Sequence, residues 1–159
     1  MNQAIFAAGC FWGVQFYFDQ IPDVTKTTVG YTGGKTKNPT YEQVCYEHTG
    51  HAEAVLVEFD PKEVRYETLV RQFFRMHDPT QLNRQGPDVG DQYRSSIFTM
   101  DDTQQAIAEN VRDELQNASK QPIVTVIERA SEFYIAEEYH QRYTQRTGRG
   151  MCHISYKSL

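Results

Sequence analysis

The clearest strand in the sequence is AEAVLVEF, Ala52–Phe59, and the dipeptide Asp60-Pro61 brings it to an end. Apolar residues then recur at helical spacing over residues 66–76, so this second segment should lay one apolar face against a sheet. A strand followed by an amphipathic helix is a building unit of folds in which helices cover a sheet. This unit therefore predicts such a fold.

Strands and helices alternate on both sides of this unit. Before it, the pattern predicts a strand over residues 3–7, a helix over 11–19, a strand over 24–31 and a short helix over 41–47. After it, the pattern predicts a loop over residues 78–91, a strand over 93–100, a helix from residue 101 or 102, a strand over 123–128 and a helix over 135–143. The segment from Thr144 onward looks irregular.

This order of elements predicts an α/β fold of the α+β kind. We expect a two-layer sandwich in which a mixed, largely antiparallel sheet with a ferredoxin-like core is covered by helices and followed by an irregular C-terminal tail. A chain of 159 residues is long enough to bury one core. Residues 1–159 are therefore expected to form one domain, in which residues 144–159 are a flexible tail.

The charge of the chain argues against several classes of partner. Sixteen basic and 21 acidic residues give a net charge of −5 at pH 7, and no stretch gathers the basic residues into a patch that could follow a phosphate backbone. No stretch resembles a membrane span, and the apolar residues 4–8 lack the basic flank of a signal peptide. The sequence predicts a cytoplasmic protein that binds neither nucleic acid nor membrane.

Cys10 lies between a predicted strand and the first turn of a predicted helix. Amide N–H groups and the positive end of the helix dipole favour a thiolate there, which makes Cys10 a candidate nucleophile. The string GCFWG, residues 9–13, has glycines that let a ligand approach, and it places Phe11 and Trp12 next to the thiol. These rings could form an apolar pocket for a small alkyl group. The alternative is a buried cysteine that only packs at the strand end.

Glu53 is an acidic residue on an otherwise apolar face of its strand. Residues two apart share a face, so Glu53 points the same way as Val55, Val57 and Phe59. Burial would disfavour its charged form and make it a proton donor near neutral pH. The alternative is that Glu53 lies at the end of the strand and reaches water.

Five segments of the sequence resemble, in the same order, the signature segments of the A-type peptide methionine (S)-sulfoxide reductase family. They are GCFWG at 9–13, GYTGG at 30–34, PTY at 39–41, TGHAE at 49–53 and DQYRS at 91–95. They extend over most of the chain. The resemblance implies an oxidoreductase that reduces the S epimer of methionine sulfoxide, free or in proteins, and so repairs oxidised proteins.

The resemblance implies roles for particular residues. It makes Cys10 the attacking thiolate, and it makes Phe11 and Trp12 the walls around the S-methyl group of the substrate. Asp88, in the long loop, and His140 match family positions near the pocket and are candidates for substrate binding. Among these residues the resemblance implies no metal ligand and no bound cofactor.

The resemblance also makes Glu53, Tyr41 and Tyr93 the donors to the sulfoxide oxygen. A sulfoxide sulfur is a poor electrophile until its oxygen is protonated or strongly hydrogen-bonded, so a neutral carboxyl and two hydroxyls would favour attack. Attack by Cys10 would release methionine and leave a sulfenic acid on the cysteine.

A sulfenic acid needs a second thiol, and the sequence offers Cys45 and Cys152. Cys152 lies in the glycine-bearing tail and could reach Cys10 to form a disulfide, whereas Cys45 falls in a predicted short helix and is expected to be packed and inert. By resemblance, Cys152 corresponds to the first C-terminal cysteine of the family. Thioredoxin is then the implied external reductant, and the enzyme is expected to be a monomer.

Two other functions remain open on the sequence. A hydrolase or acyltransferase could pair Cys10 with one of three histidines, which are His51, His77 and His140. A metal-binding module could use a set of cysteines and histidines, which are Cys45, His48, His51, Cys152 and His153, although they lack a paired Cys-x-x-Cys spacing. The dipeptide Glu137-Glu138 reads most simply as part of a solvated surface.

Overall fold

The structure is a computed structural model that describes residues 2–149. Its strands are β1 Asn2–Ala8, β2 Val24–Thr32, β3 Ala52–Phe59, β4 Arg84–Gln85, β5 Asp88–Val89, β6 Ser95–Thr99, β7 Val126–Arg129 and β8 Tyr134–Ile135. Its helices are α1 Phe11–Asp19, α2 Tyr41–Tyr46, α3 Tyr66–Met76, α4 Asp102–Ala118 and α5 Tyr143–Thr147, with 3-10 turns at Asp91–Tyr93 and Glu138–His140. None of the helices in these residues has the length and apolar character needed to cross a membrane.

Six strands form one sheet in the order β7-β6-β1-β3-β2-β8. Strands β6 and β7 pair in parallel, and the other four neighbouring pairs are antiparallel. The four central strands, with α1 between β1 and β2 and α3 between β3 and β6, have the β-α-β-β-α-β order of a ferredoxin-like core. The predicted fold class, a largely antiparallel sheet covered by helices, is confirmed.

Strand β3 is buried on both faces because it carries apolar residues on both of them. Val55, Val57 and Phe59 belong to the larger core cluster, whereas Ala52 and Ala54 belong to a second cluster on the other face. This accounts for the apolar run that made β3 the clearest strand in the sequence. The central position of β3 also means that a residue at its start lies deep in the protein.

Aromatic side chains pack α1 and α3 against the sheet. The ring of Phe6 in β1 stacks between Phe18 of α1, with centroids 5.0 Å apart, and Phe73 of α3, with centroids 5.5 Å apart. All three side chains are fully buried. Each ring buries a large apolar area, so this packing holds α1, with Cys10 at its start, in one direction on the sheet.

The predicted helix over residues 135–143 is wrong. Tyr134–Ile135 forms β8 and pairs with β2 at Gly30 and Tyr31, and a 3-10 turn follows at Glu138–His140. The backbone amide of Ala136 donates to the carbonyl of Val29 at 3.0 Å. Hydrogen bonds to the edge of β2 therefore replace the hydrogen bonds that a helix would make, and no local pattern reports them.

The C-terminal region also begins with more order than predicted. Residues 143–147 form α5, which ends at Gly148 with a φ of 73°, a left-handed conformation common at helix ends. The predicted loop over residues 78–91 is mostly irregular but contains the β4–β5 hairpin. The part of the predicted flexible tail over residues 150–159, which includes Cys152, lies outside the described residues.

Candidate active site

Cys10 lies where the sequence predicts, in the turn between β1 and α1. It is the N-terminal cap residue of α1, and its side chain is half-buried. Gly9 has a φ of 99°, a conformation that residues with a side chain rarely adopt, so a glycine is needed for this turn. The turn sets the thiol at the positive end of the dipole of a nine-residue helix, which favours its thiolate form.

Glu53, the second residue of β3, is 1% exposed. Its predicted burial is confirmed, and the alternative of a strand end that reaches water is wrong. Oε1 accepts a 3.2 Å hydrogen bond from the backbone amide of Phe11, the residue after Cys10. Oε2 is also buried and has no hydrogen-bond partner among residues 2–149. The carboxyl group therefore lies against the first turn of α1.

Glu53 is uncharged at neutral pH. Burial raises the pKa of Glu53 to about 8, although the hydrogen bond from Phe11 opposes the shift, and the negative charge of Asp88 adds to it. Asp88 belongs to β5, so the long loop between α3 and β6 does reach the site. A neutral carboxyl can donate a proton or a hydrogen bond, which a carboxylate cannot.

Tyr41 and Tyr93 are half-buried near Glu53. Burial raises the pKa of each hydroxyl, and the negative charge that Glu53 carries once it is ionised is the next cause for both. The charge of Cys10 also acts on the pKa of Tyr93. Both hydroxyls therefore remain protonated and able to donate. The three predicted donors lie within electrostatic range of one another.

Residues next to Tyr41 in the sequence determine where helix α2 begins. The side chain of Thr40 accepts a 3.2 Å hydrogen bond from the amide of Gln43, and the side chain of Gln43 accepts a 2.9 Å bond from the amide of Thr40. This reciprocal pair is a capping box, and it makes Tyr41 the first residue of α2.

Aromatic rings surround the side chains of Phe11 and Trp12. Trp12 stacks on Tyr143 of α5 with ring centroids 4.0 Å apart, and its Nε1 donates a 2.9 Å hydrogen bond to Nδ1 of His140. The ring centroid of His140 lies 4.4 Å from that of Tyr41 and 5.3 Å from that of Phe11. The predicted walls and the predicted histidine therefore meet in one aromatic cluster.

His140 is a neutral donor within this cluster. It is 1% exposed, and burial lowers the pKa of its imidazole, although the charge of Glu137 opposes the shift. Because Nδ1 accepts from Trp12, the proton of the neutral ring must lie on Nε2. That N–H is buried, and no described residue accepts a hydrogen bond from it. A bound ligand with an acceptor oxygen would satisfy it.

A thiol at a helix start, a neutral buried carboxyl and an aromatic cluster suit a reaction in which sulfur attacks and an oxygen is protonated. The family model for peptide methionine sulfoxide reductase matches residues 2–159. The chain belongs to the peptide methionine sulfoxide reductase family. It is therefore an oxidoreductase, as its sequence motifs imply.

Individual proteins that are similar to this chain support the same family. A peptide methionine sulfoxide reductase MsrA of Methanosarcina acetivorans is 55% identical over 150 residues, which cover 93% of this chain and 80% of that protein. Mxr1 of Saccharomyces cerevisiae in its reduced form has a similar structure, with a TM-score of 0.89 and 36% identity over 94% of this chain and 87% of that one. Mxr1 has also been solved in complex with Trx2, and that chain matches with a TM-score of 0.65 and 28% identity over 89% of this chain and 84% of that one.

Cys45 lies at the edge of the site. It is half-buried in α2, and burial raises the pKa of its thiol, while hydrogen bonds with the side chains of Tyr41 and Gln92 oppose that shift. A thiol with a raised pKa is a weak nucleophile, which agrees with the prediction that Cys45 is inert. Cys152, the predicted resolving cysteine, lies outside the described residues.

Two of the three histidines of the hydrolase alternative, His51 and His77, have other partners at both ring nitrogens. Both ring nitrogens of His51 are hydrogen-bonded to backbone groups of the loop after β2. Those of His77 lie 2.7 Å from the carbonyl of Phe73 and from the hydroxyl of Ser95. In residues 2–149, no three His, Cys, Asp or Glu side chains are grouped so that they could hold a metal ion. Cys152 and His153, which the metal alternative also needs, lie beyond that part of the chain.

Two residues that sequence reasoning missed are part of the site. Tyr143 stacks on Trp12, and Glu137, which was expected on a solvated surface, is half-buried and hydrogen-bonded to Tyr31 and Tyr41. The prediction for Glu137 is therefore wrong. Its position three residues before His140 is the one local signal that could have linked it to the pocket.

Proposed function

We propose that this chain reduces the S epimer of methionine sulfoxide to methionine, with Cys10 as the nucleophile and Glu53 as the proton donor. The observation that carries the proposal is the neutral, buried carboxyl of Glu53 next to the helix start at Cys10. An acid that stays protonated up to about pH 8 can coexist with a thiolate stabilised by a helix dipole. Reduction of a sulfoxide by a thiol needs both at once.

The first step transfers the sulfoxide oxygen to Cys10. The thiolate attacks the substrate sulfur while Glu53, assisted by the hydroxyls of Tyr41 and Tyr93, donates a proton to the oxygen. The attack forms a bond between the two sulfurs. This bond and the sulfur–oxygen bond of the substrate then break as the protonated oxygen passes to the sulfur of Cys10, which becomes a sulfenic acid. Methionine sulfoxide is reduced by two electrons to methionine, which is released, and Cys10 is oxidised by two electrons.

The aromatic cluster would hold the substrate in one orientation. Trp12, which is half-buried, offers an apolar surface to the S-methyl group, and the fully buried Phe11 supports this wall from within the aromatic cluster. Such a surface would distinguish the S epimer from the R epimer once the oxygen is fixed at the donors. The N–H of His140 would bind an acceptor of the substrate backbone. The negative charge of Asp88 adds to the effect of burial on the pKa of Glu53, and Asp88 would bind a donor of the substrate.

The second step regenerates the thiol. The thiol of Cys152 attacks the sulfenic acid of Cys10, a disulfide forms and water leaves. An external dithiol protein of the thioredoxin type then reduces this disulfide, a proposal that the solved complex of Mxr1 with Trx2 supports. This reductant suits a protein that works as a monomer in the cytoplasm, where thiols are kept reduced, and that repairs oxidised methionine residues.

Two measurements with each epimer of a blocked methionine sulfoxide test the proposal, namely thioredoxin-coupled oxidation of NADPH and the amount of methionine formed per chain. Wild type should turn over the S epimer only, Cys10→Ser should show no turnover, and Cys152→Ser should stop after about one equivalent of methionine per chain, because the sulfenic acid persists. Cys45→Ser, which also removes one thiol, is the matched control and should keep turning over. Absence of turnover with both epimers in wild type would refute the proposal.

A further inference from the structure

We propose that Glu137 is a positioning residue that holds Tyr41 in place to donate to the sulfoxide oxygen. The inference rests on the proposed function, because it assigns a purpose to the orientation of Tyr41. Glu137 follows β8 and precedes the 3-10 turn that carries His140. It therefore belongs to residues 135–143, for which the sequence pattern wrongly predicts a helix.

The carboxylate of Glu137 joins separate elements of the fold. Oε1 accepts a 2.8 Å hydrogen bond from the hydroxyl of Tyr31 in β2, and Oε2 accepts a 2.9 Å bond from the backbone amide of Tyr41 at the start of α2. Tyr31 is fully buried, and its ring centroid lies 5.7 Å from that of Phe11. One side chain thus ties β2 and α2 to the segment that carries His140.

Glu137 has the charge that this task requires. Partial burial opposes its ionisation, but hydrogen bonds from the backbone amides of Tyr41 and Glu137 and from the Tyr31 hydroxyl outweigh burial and lower the pKa of the carboxyl. A carboxylate accepts through both oxygens, so each donor is satisfied. Glutamine in the same place would present one NH2 group to a donor and would lose one of the two bonds.

The bond to Tyr41 reaches the reacting groups through the aromatic cluster. The ring of Tyr41 lies 4.4 Å from that of His140 and 6.4 Å from that of Phe11, between centroids. Loss of the bond at its amide would let the first turn of α2 shift relative to His140. A shift of about 1 Å in a positioned donor can cost as much as 10²-fold in rate, so Glu137 matters to catalysis without touching substrate.

A double-mutant cycle on the rate of methionine formation in a single turnover tests the proposal. Glu137→Gln should slow the reaction about tenfold or more in wild type, and by less than about threefold in a Tyr41→Phe background, because the hydroxyl through which it acts is gone. Tyr31→Phe, which removes the other bond and leaves the one to Tyr41, is the matched control and should cost less than Glu137→Gln. Equal losses in both backgrounds, or no loss in wild type, would overturn the proposal.

A measurement that needs no activity separates this proposal from the proposed function. With ring-labelled tyrosine, the NMR signal of Tyr41, assigned by its absence in Tyr41→Phe, should shift or broaden in Glu137→Gln and change less in Tyr31→Phe. An unchanged signal would refute the positioning role. If the signal shifts but wild type forms no methionine from either epimer, the proposed function fails while the role of Glu137 in placing Tyr41 stands.

Discussion

Glu53 and Glu137 border the same aromatic residues but differ in charge. Both act electrostatically on the hydroxyl of Tyr31, and both accept a hydrogen bond from a backbone amide at the start of a helix. Glu53 is fully buried with one such donor, and its pKa rises to about 8. Glu137 is half-buried with donors on both oxygens, and its pKa falls.

The number of donors relative to the extent of burial decides which glutamate keeps its proton. Burial penalises the charged form of both, and only Glu137 has enough hydrogen bonds to offset that penalty. Of these two carboxyls, that of Glu53 can therefore give a proton, and that of Glu137 can only accept hydrogen bonds. A donor suits chemistry at the sulfoxide oxygen, and an acceptor suits the support of its neighbours.

The largest expected effect comes from replacing Cys10, the nucleophile that Glu53 assists as proton donor. Cys10→Ser should lower methionine formation by a factor on the order of 10⁴ or more, because a serine hydroxyl at this position is a far weaker nucleophile than a thiolate. The measurement is methionine released per chain from the S epimer in the absence of reductant. If methionine forms at a comparable rate without the thiol, Cys10 is not the nucleophile, and the neutral state of Glu53 has another purpose.

Glu53→Gln is expected to have the next largest effect. The amide keeps the shape and can donate a hydrogen bond, but it cannot transfer a proton, so the single-turnover rate constant should fall by about 10²-fold or more. Rapid-quench measurement of methionine formation near pH 7 gives this value. A loss smaller than that of Glu137→Gln would reverse the roles assigned to the two carboxyls.

Each tyrosine hydroxyl should contribute less than Glu53. Tyr41→Phe and Tyr93→Phe each remove one hydrogen bond to the developing charge, which is worth about 1 to 1.5 kcal/mol, or roughly tenfold in rate. The same rapid-quench assay measures the loss. Losses as large as that of Glu53→Gln would make a tyrosine the main proton donor.

The smallest expected effect on the rate comes from disturbing the segment that carries Glu137. A Cβ on Gly30 would lie 2.4 Å from the carbonyl oxygen of Tyr134 and 2.5 Å from the ring of Phe133, so Gly30→Ala must push β8 away from β2. We expect a loss of about 1 to 3 kcal/mol in the free energy of unfolding, measured with urea. The rate should fall only severalfold, because Glu53 is not displaced. A variant with wild-type stability would show that β8 is not held tightly.

The same two glutamates show which parts of the site can be predicted from the sequence and which cannot. Glu53 was predictable because its environment follows from strand periodicity, and the predicted bounds of α1, β3 and α3 agree with the structure. The nucleophile position of Cys10 followed from the strand-to-helix junction. These are properties of residues that are close in the sequence.

Glu137 was not predictable in this way because its partners lie about 100 residues before it. Tyr31 and Tyr41 belong to β2 and α2, and their hydrogen bonds to Glu137 exist only after the chain has folded. The segment that carries Glu137 reads as a helix, but pairing with the edge of β2 prevents that structure. The stacking of Tyr143 on Trp12 was missed for the same reason.

The most direct test of the role given to Glu53 is the pH dependence of the single-turnover rate constant, compared between wild type and Glu53→Gln. Glu53 is protonated below its pKa of about 8 and loses the proton above it, whereas glutamine does not titrate. Ionisation of Cys10 affects both proteins, so the ratio of their rate constants reports Glu53. We predict that the rate constant of wild type divided by that of Glu53→Gln is constant below pH 7 and falls about tenfold per pH unit above about pH 8. A ratio that stays constant from about pH 6 to 9.5 would contradict a neutral Glu53 as the proton donor.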